Sequence, residues 1–385
     1  MCRWRAILII LIVINISICV VSSACRSIST VVLLHRDKMP LQLSVTIRNK
    51  VGVLAERINS RYRYSLVLGC LLAQASLGDV LRDRDNGPLT GVFGIPDSTE
   101  GGKLLSSGKS AWDLSVTLAS HSIDDLRSTE TLYLDGETTR FEFRYRIGIG
   151  DKLELGVELP YVRHEAGQLD SLIDSWHKWL GLPKGHRADR AQDILDFRYT
   201  DGTGGAIDVN SESQGIGDVR LFGGWQLTAA DRHHVALRFG AKFATGDSSK
   251  LHGSGAMDLN LGLAGDANNL FGIQNLNGFY RLHAIHIGEP DLLADRYKEW
   301  AGYISAGIGL QVSDRIELRL QGASRSAMYE SDIPSLGGSA TTLTVGGNIL
   351  IFNNYELSLG VSEDVDPGTA PDVAFQIALR YRGTQ

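Results

Sequence analysis

The sequence predicts an all-β protein: a single closed antiparallel transmembrane β-barrel of about twelve strands, with short periplasmic turns and longer outer loops. Three observations carry this expectation. From Trp112 onward, apolar and polar residues alternate with period two. The alternating stretches mostly reach the roughly 9–11 residues that a tilted membrane strand needs, whereas soluble strands centre on about 5–6. Tight turns and long loops then take turns along the chain, so short connections gather at one end of the barrel and long ones at the other.

The alternation can be followed strand by strand. Phe141, Phe143, Tyr145 and Ile147 interleave with Arg140, Glu142, Arg144 and Arg146. Leu153, Leu155, Val157, Leu159 and Tyr161 interleave with Glu154, Gly156 and Glu158. Similar runs pass through Val235–Phe243, Ile316–Leu320 and Val373–Tyr381. Twelve candidate strands result, near residues 112–120, 138–148, 151–163, 216–228, 232–245, 256–265, 271–284, 299–312, 314–326, 340–352, 354–363 and 372–382. An even number returns both ends to one side of the membrane. Gly150-Asp151, Ala230-Asp231, Ser313-Asp314 and Asn353-Asn354 supply tight turns. Trp112, Tyr161, Trp225, Trp300, Tyr355 and Tyr381 fall near strand ends, as an interfacial belt requires. A secreted sandwich would bury the apolar face instead, but the sequence offers no long helix to cover it.

Composition limits what else the chain can be. It is 43% hydrophobic and 21% charged, which argues against disorder. Glycine is high at 43 of 385 residues, without a collagen period. The formal charge is -6, and no basic patch with interleaved aromatics is visible, so nucleic acid is not an expected partner. The four cysteines, Cys2, Cys19, Cys25 and Cys70, all precede residue 71, which excludes disulfides and thiol chemistry from the rest.

Residues 1–75 read as an export region. Arg3 and Arg5 precede an apolar run from Ala6 to Val21. A second signal follows: Arg57, Arg61 and Arg63, then Tyr64 to Leu72, then Ala73-Gln74-Ala75. Two tandem signals make little physical sense. The expectation is that 1–52 is an extension upstream of the true start, and that 53–75 is the signal peptide. The mature part then carries a net charge near -14 on about 310 residues. Residues 76–111 read as a periplasmic N-terminal segment, and 112–385 as the barrel.

Several segments resemble a known family. They are Gly87 to Ser98 (GPLTGVFGIPDS), Leu159 to Gly167 (LPYVRHEAG), Asp174 to Arg187 (DSWHKWLGLPKGHR), Gly215 to Leu221 (GIGDVRL) and Lys242 to Ala264. Together they are similar to the DUF3187 family of exported proteobacterial proteins over about residues 85–382. Ala244 stands where the family usually has Pro. The resemblance implies an outer-membrane β-barrel, and supplies no settled activity.

Two regions are candidate functional sites. The third outer loop contains Leu169, Leu172, Ile173, Trp176, Trp179 and Leu180, spaced along one face of a helix over about residues 168–180. Gly181 and Pro183 end it. This helix can rest at the membrane rim or fold over the mouth. The second region is the lumen. Arg140, Glu142, Arg144, Arg146, Glu154, Glu158, Arg220, Arg238, Lys242, Asp258, Glu317 and Arg319 are expected to line it, with Lys152 and Asp218. Mixed charges of this kind either pair to fill a narrow interior or line a polar pore.

The functions consistent with this are a channel for small polar solutes, a structural envelope protein with a plugged lumen, or an outer-membrane lipid hydrolase. His252 and Ser254, with Asp247, share one loop and motivate the last. No catalytic residue is assigned and the chain is expected not to be an enzyme. His177, His186, Asp170, Asp174 and Asp189 match no firm metal-ligand spacing, so no metal or cofactor is expected. The expected partners are outer-membrane lipids, the barrel assembly machinery and small polar solutes, in the cell outer membrane.

Overall fold

The computed structural model describes residues 80–127, 129–167, 194–202, 206–365 and 369–382. The export region 1–75 and the amphipathic loop helix at 168–180 lie outside the described residues.

The wall begins with β1 (Ser110–Leu126), β2 (Thr131–Ile149) and β3 (Leu153–Glu165). A short outer hairpin follows, β4 (Asp196–Thr200) and β5 (Ala206–Val209). The fourth wall strand comes in two pieces, β6 (Ser213–Ile216) and β7 (Arg220–Ala230). Then come β8 (His233–Lys242), β9 (Asp258–Ala267), β10 (Leu276–His286) and β11 (Trp300–Ser313). The last four are β12 (Ile316–Arg325), β13 (Ala340–Phe352), β14 (Tyr355–Asp364) and β15 (Val373–Arg382). Each wall strand pairs antiparallel with its chain neighbour, and β1 pairs with β15 from Ala111↔Arg382 to Ser120↔Val373. The twelve-strand wall therefore closes, and no wall edge is left open to another chain or to lipid.

The period-two pattern explains the orientation of the wall. On β2, Phe141 and Phe143 are 41% and 40% exposed, while Glu142 and Arg144, which alternate with them, are 2% and 1% exposed. Leu259, Leu261 and Leu263 on β9 and Tyr280 and Leu282 on β10 continue the outward apolar surface. An apolar band of this extent is incompatible with water and suited to lipid hydrocarbon. Trp112 stacks on Tyr381 at 6.0 Å between ring centres, and Tyr355 lies 5.2 Å from Tyr381, forming part of an interfacial belt.

Turn lengths separate the two ends. Asp231-Arg232, Asp314-Arg315 and Asn353-Asn354 are two-residue turns at one end, the periplasmic end by the usual asymmetry. The β2–β3 turn there uses Gly150 at φ 58°, a left-handed conformation that glycine adopts without strain. The longer β9–β10 turn, residues 268–275, places Asn269, Phe271 and Asn275 at positive φ. The loops of residues 243–257, 287–299 and 326–339 gather at the other, outer end.

Besides register shifts near the periplasmic turns at Gln226/Thr228, Gln311/Ser313 and Leu350/Phe352, an irregularity interrupts the wall between β6 and β7. Glu158 faces Arg220 and Tyr161 faces Ile216, so three steps along β3 match four along its partner. The extra residue lies in Gly217–Val219, a β-bulge between β6 and β7. It sits beside Pro160, whose carbonyl accepts from Gly217 N at 2.9 Å and whose ring nitrogen has no proton to give that partner.

Candidate functional site

The interior is occupied by the chain itself. Residues 80–105, expected to lie in the periplasm as part of the segment 76–111, instead run inside the barrel. Their wall contacts trace a path up and back. Val80 O accepts from Arg380 near the periplasmic end. Leu81 O accepts from Gln321, and Asp83 O from the Tyr303 hydroxyl, further up. Asp85 pairs with Arg325, the outermost residue of β12. The segment turns over at residues 87–93. It then descends: Val92 O accepts from Lys242 at 3.2 Å, Gly94 N donates to Asp258 at 2.8 Å, and Ser98 O accepts from Arg281 at 2.9 Å. Gly101 O accepts from Arg238, Leu104 N donates to Gln226, and Leu105 N donates to Glu154 at 3.0 Å. It leaves beside Gly148 to begin β1. The plug thus enters and leaves by the same end. The physical reason is charge: a lumen lined with arginine and carboxylate must be filled by matching polar groups, and the plug supplies them.

Ten of the twelve expected lining residues belong to the network around this plug. Glu142 binds Arg82 of the plug at 2.7 Å and Arg140 at 2.8 Å. Arg144 binds Glu158 at 2.7 Å and Asp97 of the plug at 3.3 Å. Glu158 also meets Arg84 of the plug at 3.0 Å and Arg220 at 3.4 Å, and Arg220 pairs with Glu100 of the plug. Glu154 binds Arg238 at 2.7 Å, and Arg146 approaches it at 3.7 Å. Lys242 is shared by Asp218 at 2.7 Å and Asp258 at 3.1 Å. Glu317 and Arg319 lie apart, paired with each other at 3.0 Å, with Asn277 and Asn348 donating to Glu317. Lys152 does not join them: it is exposed in the β2–β3 turn, one residue before β3 begins.

Apolar side chains close the outer end. Leu89, Phe93 and Ile95 at the plug tip join Phe197 and Tyr199 of β4 and Tyr329 of the β12–β13 loop in one buried cluster. Phe93 and Tyr329 lie 5.4 Å apart between ring centres, and the Tyr329 hydroxyl donates to Leu89 O. Glu130 ties loops together beneath this cap. It accepts from Ser331 at 2.6 Å, Tyr199 at 3.0 Å and Asp332 N at 3.0 Å, and pairs with Arg296. Burial works against its ionisation, but these donors outweigh it and hold the carboxyl below the ordinary glutamate value.

The bulge explains two of the sequence motifs. It points Asp218 into the β8–β9 loop. One carboxylate oxygen accepts from Thr245 N and Gly246 N, at 3.1 and 2.9 Å. The other accepts from Ser254 N at 3.0 Å and from Lys242. Gly253 is required there, because a Cβ would lie 2.2 Å from the Asp218 carboxylate. The GIGDVRL and TGD…GSG segments are therefore two halves of one clamp that holds the 243–257 loop inward. This clamp separates the residues behind the hydrolase reading. Ser254 Oγ binds Lys242, whereas His252 Nε2 faces Ser213 Oγ at 3.0 Å and its ring stacks on His164. Burial lowers the His252 imidazole below its ordinary value.

Sequence reading missed the plug residues Arg82, Asp97 and Glu100, and Arg281 on the wall. Arg281 carries the same signal as its neighbours, alternating with outward Tyr280 and Leu282.

A closed, even-numbered antiparallel wall with an apolar outer face, a polar interior and an aromatic belt defines a transmembrane barrel of the outer-membrane class, located in the cell outer membrane. The chain belongs to the DUF3187 family, described as proteins of unknown function, which it matches over residues 72–382. No curated protein matches it. Among solved structures it is similar to the COG4313 outer membrane channel from Pseudomonas putida F1, at 13% identity and a TM-score of 0.50, covering 74% of this chain and 98% of that one. It is also similar to the NanC porin, at 8% identity and a TM-score of 0.40, covering 71% of this chain and 100% of that one. A third is the Ralstonia pickettii toluene transporter TbuX, at 12% identity and a TM-score of 0.39, covering 78% of this chain and 99% of that one. At these identities the likeness concerns the fold.

Proposed function

We propose that the protein is an outer-membrane channel for small polar solutes, gated by its own N-terminal plug. The observation that carries this reading is how the plug is held. Along both limbs, residues 80–86 and 94–105, hydrogen bonds and ion pairs dominate the wall contacts, with Leu81 against Gly346, Leu104 against Gly224 and Ile95 in the apolar cap as apolar contacts, and both limbs reach the same end of the barrel. Water can replace such contacts as the plug withdraws, whereas a filling fixed for structure alone is better served by apolar packing. The likeness to channel barrels is consistent with this reading.

The test is a reversible lock. A Cβ at Gly94 would lie 3.4 Å from the Lys242 Cβ, close to the spacing of a disulfide, and 2.8 Å from the Asp258 Cβ, so the plug backbone must move slightly away from Asp258 to admit the pair. The variant Gly94→Cys/Lys242→Cys, with the four native cysteines changed to Ser, is placed in a planar bilayer. The oxidised protein should be silent and the reduced protein should conduct. Equal current in both states refutes the gate. Silence in both states supports the envelope-structural reading instead.

A further inference from the structure

The descending limb of the plug passes a partial ring of four arginines, one from each of four strands on one half of the wall. Arg144 on β2 meets the Asp97 carboxylate and the Thr99 hydroxyl. Arg281 on β10 donates to Ser98 O, Arg220 on β7 pairs with Glu100, and Arg238 on β8 donates to Gly101 O at 2.8 Å. All four side chains are at most 1% exposed. Toward the ring, the five residues Asp97–Gly101 present two carboxylates, two carbonyls and a hydroxyl, all accepting.

The wall does not neutralise this ring by itself. Arg238 has Glu154 and Arg281 has Asp266, at 2.7 and 2.8 Å, but Arg144 and Arg220 share Glu158. With Asp113, opposite Arg144 on β1, and Arg146, which shares Glu154, five wall guanidinium groups face four wall carboxylates among the described residues, and the plug provides further negative charge. Further donor capacity is unused: among the described residues the Nε atoms of Arg144 and Arg220 find no acceptor. Beside them His283, 3% exposed and within reach of the charges of Glu100, Arg220, Arg281 and Arg238, has no hydrogen-bond partner on either ring nitrogen among the described residues.

We propose that this ring is the selectivity site of the channel, that it takes small oxyanions bearing carboxylate or phosphate groups, and that Asp97–Gly101 occupies it as a built-in substitute for such a solute. This rests on the gated-channel reading above. Forked guanidinium donors match carboxylate and phosphate oxygens in pairs, and they carry no acceptor with which to welcome a cation. Withdrawal of the plug uncovers guanidinium donors in excess over the wall carboxylates, and that excess positive charge favours anions.

The reduced Gly94→Cys/Lys242→Cys channel supplies the test. Under a KCl gradient its reversal potential should move toward the chloride equilibrium potential. Adding Arg220→Gln and Arg238→Gln should move it back toward or past zero. Succinate and inorganic phosphate, applied separately, should each reduce the chloride current, and glucose should not; a response to one alone assigns the anion class. A reduced channel that conducts but prefers potassium overturns the ring while leaving the gate intact. If the reduced protein carries no current, the gate fails, and the ring is judged alone. In that case, Asp97→Ala/Glu100→Ala protein in detergent should gain thermal stability from succinate or phosphate and not from glucose. Absence of that gain overturns the proposal.

Discussion

Arg82 joins two wall carboxylates to a third on the plug, and its removal gives the sharpest expected outcome. Its guanidinium binds Asp97 at 2.8 Å and Glu142 at 2.7 Å, and it pairs with Asp113 on β1. The side chain is 4% exposed. In Arg82→Ala, Asp97 keeps Arg144, and Glu142 keeps Arg84 and Arg140. Asp113 loses its guanidinium partner while the plug still holds water away. Removing one member of a buried pair costs about 3–5 kcal/mol, because the other charge is left uncompensated. Withdrawal of the plug rehydrates Asp113, so that cost falls on the closed state. At about 1.4 kcal/mol per tenfold, the open-to-closed ratio should rise by roughly two to three and a half powers of ten. The assay is single-channel open probability, with retention of the heat-modifiable folded band as the check on the wall. Arg82→Ala/Asp113→Asn removes the stranded charge and should recover most of the closed state. An intact barrel whose open probability is the same in the native chain, Arg82→Ala and the double variant would refute the reasoning.

Three further outcomes follow from the wall and the loops. Glu130 has a depressed pKa when folded, so its contribution is complete above the ordinary glutamate pKa of about 4.3 and is lost as pH falls through the folded value. Hydrogen exchange in loop 326–339 should therefore accelerate in acid, at a pH below the ordinary glutamate value. Glu130→Gln should remove that pH step at a constant cost of about 1.5–3 kcal/mol. Asp218→Ala leaves the Gly246 and Ser254 amides without their acceptor, while the Thr245 amide keeps Phe243 O. At about 1–3 kcal/mol for each stranded buried group, the 243–257 loop should detach and become a protease site while the barrel stays folded. Leu261, 55% exposed on the outer face of β9, should cost about 2–4 kcal/mol as Leu261→Arg, read from folding into liposomes. The inward change Gln226→Arg should not show that dependence on lipid.

The wall was legible because its physics is local. A strand that faces lipid on one side and charge on the other must alternate, and each of the twelve candidate strands coincides with a wall strand. The alternation also misleads at turns. The run from Phe271 to Gly278 suggests a strand starting near 271, but the left-handed residues Asn269, Phe271 and Asn275 delay β10 until Leu276. The plug was not legible for the opposite reason. Its conformation follows from distant partners, many of them its own backbone carbonyls: those of Val80, Leu81, Val92, Ser98 and Gly101 are invisible to any reading of side-chain types. The motif Gly87–Ser98 marked the region as distinctive without saying that it lies inside. The hairpin of β4 and β5 was hidden within a long loop, because four or five residues of alternation are too few to distinguish from chance.

The plug also constrains how the molecule is made. It lies immediately before β1 in the chain, and β1 forms the closing seam with β15, the last strand to be synthesised. A wall that closed empty would bring Arg144, Arg220, Arg238 and Arg281 together with too few negative charges, inside a bilayer that penalises such an excess. Threading residues 80–105 up and back into a finished cylinder would require them to find their places in a confined space. Folding of the wall around the segment, with the β1–β15 seam shut last, avoids both difficulties. The stretch of chain that occupies the lumen then also serves as the mandrel on which the cylinder is wound.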